Sequence, residues 1–216
     1  MVNKMITTTC FSICGYFNYP IIKNSLFLNI ITKISDIAQN DINIKLMTVD
    51  KSKINHTLLF ELGDYSSVCS TNLNLLESDK YTPLSICFKN KYNISTEILI
   101  KPVDYNGFEI NCMLEEDELD ICTNKDLIIQ ECARIFFETL KPLYGCCGTE
   151  MFIDEFEHIE ESDIINTKFH YIGYVDFRII EKFGFINNNQ NTHKFVIKPL
   201  QDGNMYINKE LLNESN

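Results

Sequence analysis

Two constellations in this 216-residue chain carry side chains able to do chemistry. One is a vicinal thiol pair, Cys146-Cys147, set between glycines in YGCCGTE. Small neighbours would let a substrate approach the backbone, and a thiolate there could act as a nucleophile if a histidine or a positive charge lowered its pKa. The four histidines (His56, His158, His170, His193) stand far from the pair in sequence, and no family-type nucleophile signature surrounds it. The other reading is a central strand of small residues lying under the preceding helix. The second constellation is acidic. Glu115, Glu116, Asp117, Glu118 and Asp120 form one run; Glu150, Asp154, Glu155, Glu157, Glu160, Glu161 and Asp163 form another without a base among them. Pairs such as Glu115/Glu116 or Asp154/Glu157 could hold a cation or divide acid and base roles. They follow no EF-hand spacing, and the chain has no Walker, GxGxxG, GxSxG or HExxH motif. No metal, cofactor or catalytic residue is therefore assigned.

The charge is polarised. The whole chain has 30 acids and 19 Lys+Arg, a formal net charge of −11. Residues 104–163 hold 17 of the acids and three bases (Lys125, Arg134, Lys141), a balance of −14, and the remainder is +3. Such a chain is a poor general nucleic-acid binder, because phosphate recognition needs clustered Lys and Arg, and its only arginines, Arg134 and Arg178, stand apart. Like charges packed together repel, which suggests either a solvated face or a dock for a basic partner. Tyr105, Tyr144, Phe152 and Phe156 border the acidic stretch and would suit interface anchors within a charged rim. The candidate partner-binding set is thus Glu115, Glu116, Asp117, Glu118, Asp120, Tyr144, Glu150, Phe152, Asp154, Glu155, Phe156 and Glu157.

The nine cysteines include no CxxC and mostly sit in apolar runs, which fits buried thiols in a reducing cytoplasm better than a disulfide framework. No stretch approaches 18 uninterrupted apolar residues, so no membrane span is expected. The 30 isoleucines, 23 asparagines and absent tryptophan are the bias of an AT-rich bacterial or phage genome.

These groups must be positioned by an α+β domain. Alternation predicts a strand over 5–17, and helical spacing of Phe27, Ile30, Ile31, Ile34 and Ile37 predicts a helix ending near 39. Strands follow over 42–49 and 57–62, then a polar irregular stretch, 63–81. A meander is expected over 84–88, 96–100 and 108–114, with turns at KNKYN and DYNG. The run 115–120 reads as a loop. A helix over 125–140 buries Leu127, Ile128, Cys132, Ile135, Phe136 and Leu140, and Pro142 stops it. A strand over 144–151, a strand over 170–177, a short helix over 178–183 and a hairpin (194–198, 205–208) around QDGN complete the order. The fold expected is one α+β domain over 1–216: an antiparallel or mixed sheet with two main helices packed on it, with a possible lobe division near 64–82.

Within this order, the segment Ala133–Glu150, ARIFFETLKPLYGCCGTE, resembles small α+β immunity proteins encoded beside bacterial polymorphic toxins. Pro142, Leu143, Tyr144, Gly145 and Glu150 carry the resemblance; the missing tryptophans depart from it. It implies a stoichiometric inhibitor with no catalytic residues of its own; the acidic stretch adds the expectation that the toxin it binds is basic, with a nuclease as one candidate class. A phage antidefence or regulatory protein would need the same surface, and a thiol enzyme using Cys146 or Cys147 is the alternative from another class.

Overall fold

In a computed structural model of the chain, the described residues are 9–17, 43–50, 57–64, 81–103, 107–149, 169, 171–183 and 194–210. They form one ten-stranded sheet in which every pairing is antiparallel, in the order β3-β2-β4-β5-β6-β1-β7-β8-β10-β9. The strands are β1 (Cys10–Phe17), β2 (Asn43–Asp50), β3 (Thr57–Asp64), β4 (Tyr81–Lys89), β5 (Ser95–Val103), β6 (Gly107–Glu115), β7 (Tyr144–Thr149), β8 (Ile172–Asp176), β9 (Phe195–Pro199) and β10 (Gly203–Asn208). Among the described residues three helices accompany them: α1 (Glu116–Asp120), α2 (Lys125–Leu140) and α3 (Phe177–Phe183). The strands on either side of 64–82 thus belong to one sheet. Positions 5–8, the helix expected to end near 39 and most of 63–81 lie outside the described residues.

The turn at 90–94 shows how local chemistry sets the register. Asn90 Oδ1 accepts from the backbone N–H groups of Tyr92 at 2.9 Å and Ile94 at 3.1 Å. Asn93 takes a positive φ of 63°, a conformation asparagine tolerates better than most residues. The helix α2 ends in a comparable way: Lys141 sits in the left-handed region, its N–H bonded to Phe137 O at 2.9 Å, and Pro142 follows. Asp176 closes β8 and caps α3, accepting from Arg178 N at 2.8 Å.

Successive side chains of a strand point to opposite faces, and in β1, β7 and β8 both faces are buried; α2 covers one of them. Phe11, Ile13 and Phe17 of β1, Ile110, Cys112 and Leu114 of β6, and Cys147, Ile172, Tyr174, Met205 and Ile207 meet Ile128, Ile129, Cys132, Ala133, Phe136, Phe137 and Leu140 of the helix. Gly15 and Gly145 bear no side chain on this face, and the rings of Phe136 and Phe137 occupy that room: a Cβ on Gly145 would collide with Phe137. Phe137 in turn stacks on Tyr174, centroids 4.9 Å apart. The opposite face has a smaller apolar cluster of Cys14, Leu143, Tyr144, Cys146, Phe169, Val175, Ile179 and Tyr206. Beside it, β5, β6 and β1 bury polar side chains: Glu97, Glu109, Asn111, Glu115 and Ser12.

Two expectations are corrected here. Residues 115–120 are not a loop: Glu115 ends β6 and 116–120 form α1. Carboxylates in the first turn of a helix offset the partial positive charge of its unpaired N–H groups, and Leu119, fully buried, fixes the turn to the core. Leu127 does not belong to the buried face of α2; it is 58% exposed. It lies on the helical stripe of Glu131, Arg134 and Glu138, which faces away from the buried side. Among the described residues no helix is long and apolar enough to cross a membrane.

Candidate functional site

The first candidate site, the thiol pair, lies in the middle of the sheet. β7 pairs with β1 on one side and β8 on the other, so Cys146 stands opposite Cys14 and Gly173, and Cys147 opposite Ile13 and Ile172. Cys147 faces α2 and is fully buried; Cys146 faces the other side and is also buried. Burial pushes the Cys147 thiol well above its ordinary pKa, and neighbouring thiols add to the effect. The Cys14 thiol is pushed up by burial and by its hydrogen bond with Cys146. A nucleophilic cysteine needs the reverse, an accessible thiolate stabilised by positive charge. Both thiols of the pair are instead buried, among small residues where aromatic rings of α2 press on the sheet. Among the described residues no group of three His, Cys, Asp or Glu side chains converges as metal ligands. All four histidines lie outside the described residues.

The acidic run at 115–120 divides into residues that hold the fold and residues that face out. Glu115 is buried at the end of β6 and is not a surface residue. Glu118 accepts hydrogen bonds from Lys89 Nζ and from the Ser95 backbone N–H. Burial alone would raise its pKa, but these donors outweigh it and hold the carboxyl below its ordinary range. One turn further, Lys91 Nζ reaches Glu131 Oε1 of α2 at 2.6 Å, and Tyr92 donates its hydroxyl to the other oxygen. Those bonds keep Glu131 low as well. The β4–β5 turn is therefore bolted to both helices by two lysines two residues apart. Sequence reasoning missed them. Their signal was the KNKYN turn, where lysines at alternate positions flank a residue bound to enter the fold.

The outward set is smaller. Asp120 pairs with Lys125, and Glu116 Oε1 accepts from Thr149 Oγ1 at 3.3 Å. Asp117 and Asp126 form no ion pair among the described residues. Between them the chain turns from α1 into α2, placing Ile121 at 82% exposure and Leu127 at 58%. These two and Ile197 are the exposed large hydrophobic side chains among the described residues. Ile121 continues the helical geometry of α1 (φ −77°, ψ −9°), so it stands one turn above Asp117 on the same face. Cys122, half-buried, follows it and donates its thiol to Glu118 O at 3.4 Å.

Tyr144 is also corrected. It is 2% exposed and stacks against Phe169 at a centroid distance of 5.9 Å, so it serves the interior and offers no anchor to a partner. Glu150, Phe152, Asp154, Glu155, Phe156 and Glu157, like Tyr105, lie outside the described residues. Of the expected set, the structure brings Glu116, Asp117, Glu118 and Asp120 together on α1 and adds Asp126 from the start of α2. The aliphatic pair at this corner was not expected, because apolar residues at helical spacing read as core. Compared with known proteins, the chain matches no family model, no curated protein and no solved structure.

Proposed function

We propose that this chain is a binding protein of the immunity type, acting in the cytoplasm by occupying a basic toxin through an acidic surface. The observation that carries the reading is the outward carboxylate set at the α1–α2 corner, Glu116, Asp117 and Asp126, within a 60-residue stretch whose charge balance is −14. Its field steers a positively charged protein toward that corner and competes with polyanionic substrate for the same cationic surface. A nuclease is the toxin class such competition would disable. The burial of Cys14, Cys146 and Cys147 also favours binding over thiol catalysis.

The test is kinetic. A partner captured by cross-linking is purified, and its association rate is followed against salt for the native chain and for Asp117→Lys combined with Asp126→Lys. Both positions carry partly or fully exposed side chains without ion pairs among the described residues, and the melting temperature of the variant checks that losing two first-turn carboxylates leaves the fold in place. Steering predicts a drop in association rate of about tenfold at low salt and a shallower salt dependence. An unchanged rate and slope, or an acidic partner, rejects the reading.

A further inference from the structure

Surface hydrophobic residues scattered singly mean little. At the α1–α2 corner they are not scattered. Two of the three exposed large apolar side chains among the described residues, Ile121 and Leu127, stand six positions apart at the two ends of one connection. Around them are Asp117, Asp120 and Asp126, together with the exposed polar residues Thr123 and Asn124. The turn is held from below. Leu119 is fully buried, Cys122 N is bonded to Leu119 O at 3.1 Å, Ile128 N to Asn124 O at 3.1 Å, and Glu118 is tied to the β4–β5 turn. The pair is presented by fixed backbone, so binding there would order little further chain.

We propose that Ile121 and Leu127 are the anchors of the docking surface, and that their occupant is an amphipathic basic segment: one whose lysines or arginines meet Asp117 and Asp126 while an apolar stripe covers the two aliphatic side chains. This rests on the reading of a basic partner and adds what holds the complex once charge has brought it together. Charge complementarity selects the occupant. A second copy of the chain is disfavoured, because a two-fold contact would set Asp117 and Asp126 against their own copies in a molecule of net charge −11. A purely cationic segment would leave the aliphatic pair in water.

Two labelled peptides of equal lysine content serve as probes, an oligolysine and an amphipathic lysine–leucine helix, with binding to the full chain read by fluorescence anisotropy. The amphipathic peptide is expected to bind about tenfold tighter or more, given the apolar area two aliphatic side chains can bury. Ile121→Ser with Leu127→Ser removes that advantage and leaves oligolysine binding unchanged, while the melting temperature stays close to that of the native chain. Equal affinity of the two peptides, an advantage that survives the double substitution, or no binding of either peptide overturns the proposal. So does sedimentation showing a native dimer that the double substitution dissolves, since the occupant is then a second copy. Asp117→Asn with Asp126→Asn separates the two ideas. If it weakens both peptides while the aliphatic substitutions do nothing, the acidic dock stands and the anchors fall. If it changes neither, the basic-partner reading fails whatever the anchors do.

Discussion

The β1–β7 seam and the α1–α2 corner both hold residues of reactive type, and they differ in what surrounds them. At the seam, Cys146 and Cys147 lie between β1 and β8, and the Cys147 side is covered by Phe137 and its neighbours. At the corner, carboxylates and aliphatic side chains face water above a turn that is itself well tied down. The reactive residue types in the seam are buried, whereas Ile121 and Leu127 at the corner are left in water. Environment inverts what the letters suggest: the thiols behave as hydrophobes and the isoleucine as a surface group. Each region also has a free thiol, Cys147 in one and Cys122 in the other, so the contrast can be measured with one chemistry.

Thiol labelling gives the largest effect. At neutral pH Cys122 is expected to react with a disulfide reagent about a thousandfold or more faster than Cys147, whose labelling must await opening of the sheet. Comparable rates, resolved by mass spectrometry of the labelled peptides, would break the distinction between seam and corner. Stability comes next. Phe137→Ala should cost about 3–5 kcal/mol in denaturant unfolding, because it empties the site over Gly145 and beside Tyr174. Leu127→Ala, only ten residues earlier on the same helix, should stay within about 0.5 kcal/mol. Similar costs for the two would place Leu127 back in the core.

The smallest effect concerns the lysines that fasten the corner. Glu118 and Glu131 have folded pKa values below their unfolded ones, so their contribution is present above the ordinary carboxylate range and is lost as pH falls through the lowered values. Both pairs are about a third exposed, which limits each to at most about 1 kcal/mol. Lys89→Met with Lys91→Met should therefore flatten the acid limb of the stability profile and leave its shape above neutrality unchanged. An acid limb identical to that of the native chain would show that the two ion pairs contribute nothing.

The strands, α2 and α3 were legible because each follows its own period and carries its own stop signal: alternation for the strands, Pro142 after α2, the DGN turn before β10. The helix over 125–140 coincides with α2, and the short helix expected over 178–183 begins one residue late. What was illegible depended on partners distant in sequence. A dense acidic run reads as a loop until Leu119 is seen to anchor it, and nothing near Glu118 in sequence announces Lys89. Tyr144 could be an anchor or a core ring, and only the stacking with Phe169, 25 residues on, decides. Leu127 shows the opposite failure: an apolar residue next to Ile128 reads as core, yet it shares its helical stripe with Glu131, Arg134 and Glu138 and faces out.

The position of β1 has a consequence for how the molecule is made. This strand is the first of the described elements in the chain and sits in the interior of the sheet, with Cys10 opposite Glu115 and Phe11 opposite Thr149. Synthesis at roughly 5–20 residues per second leaves it without either neighbour for on the order of ten seconds. Through that interval a strand rich in Phe, Ile and Cys has both edges open, the condition most prone to pairing with the wrong chain. The seam at the interior of the finished sheet closes only once β7 has been made, and a nascent chain stalled before β7 would leave one edge of β1 open.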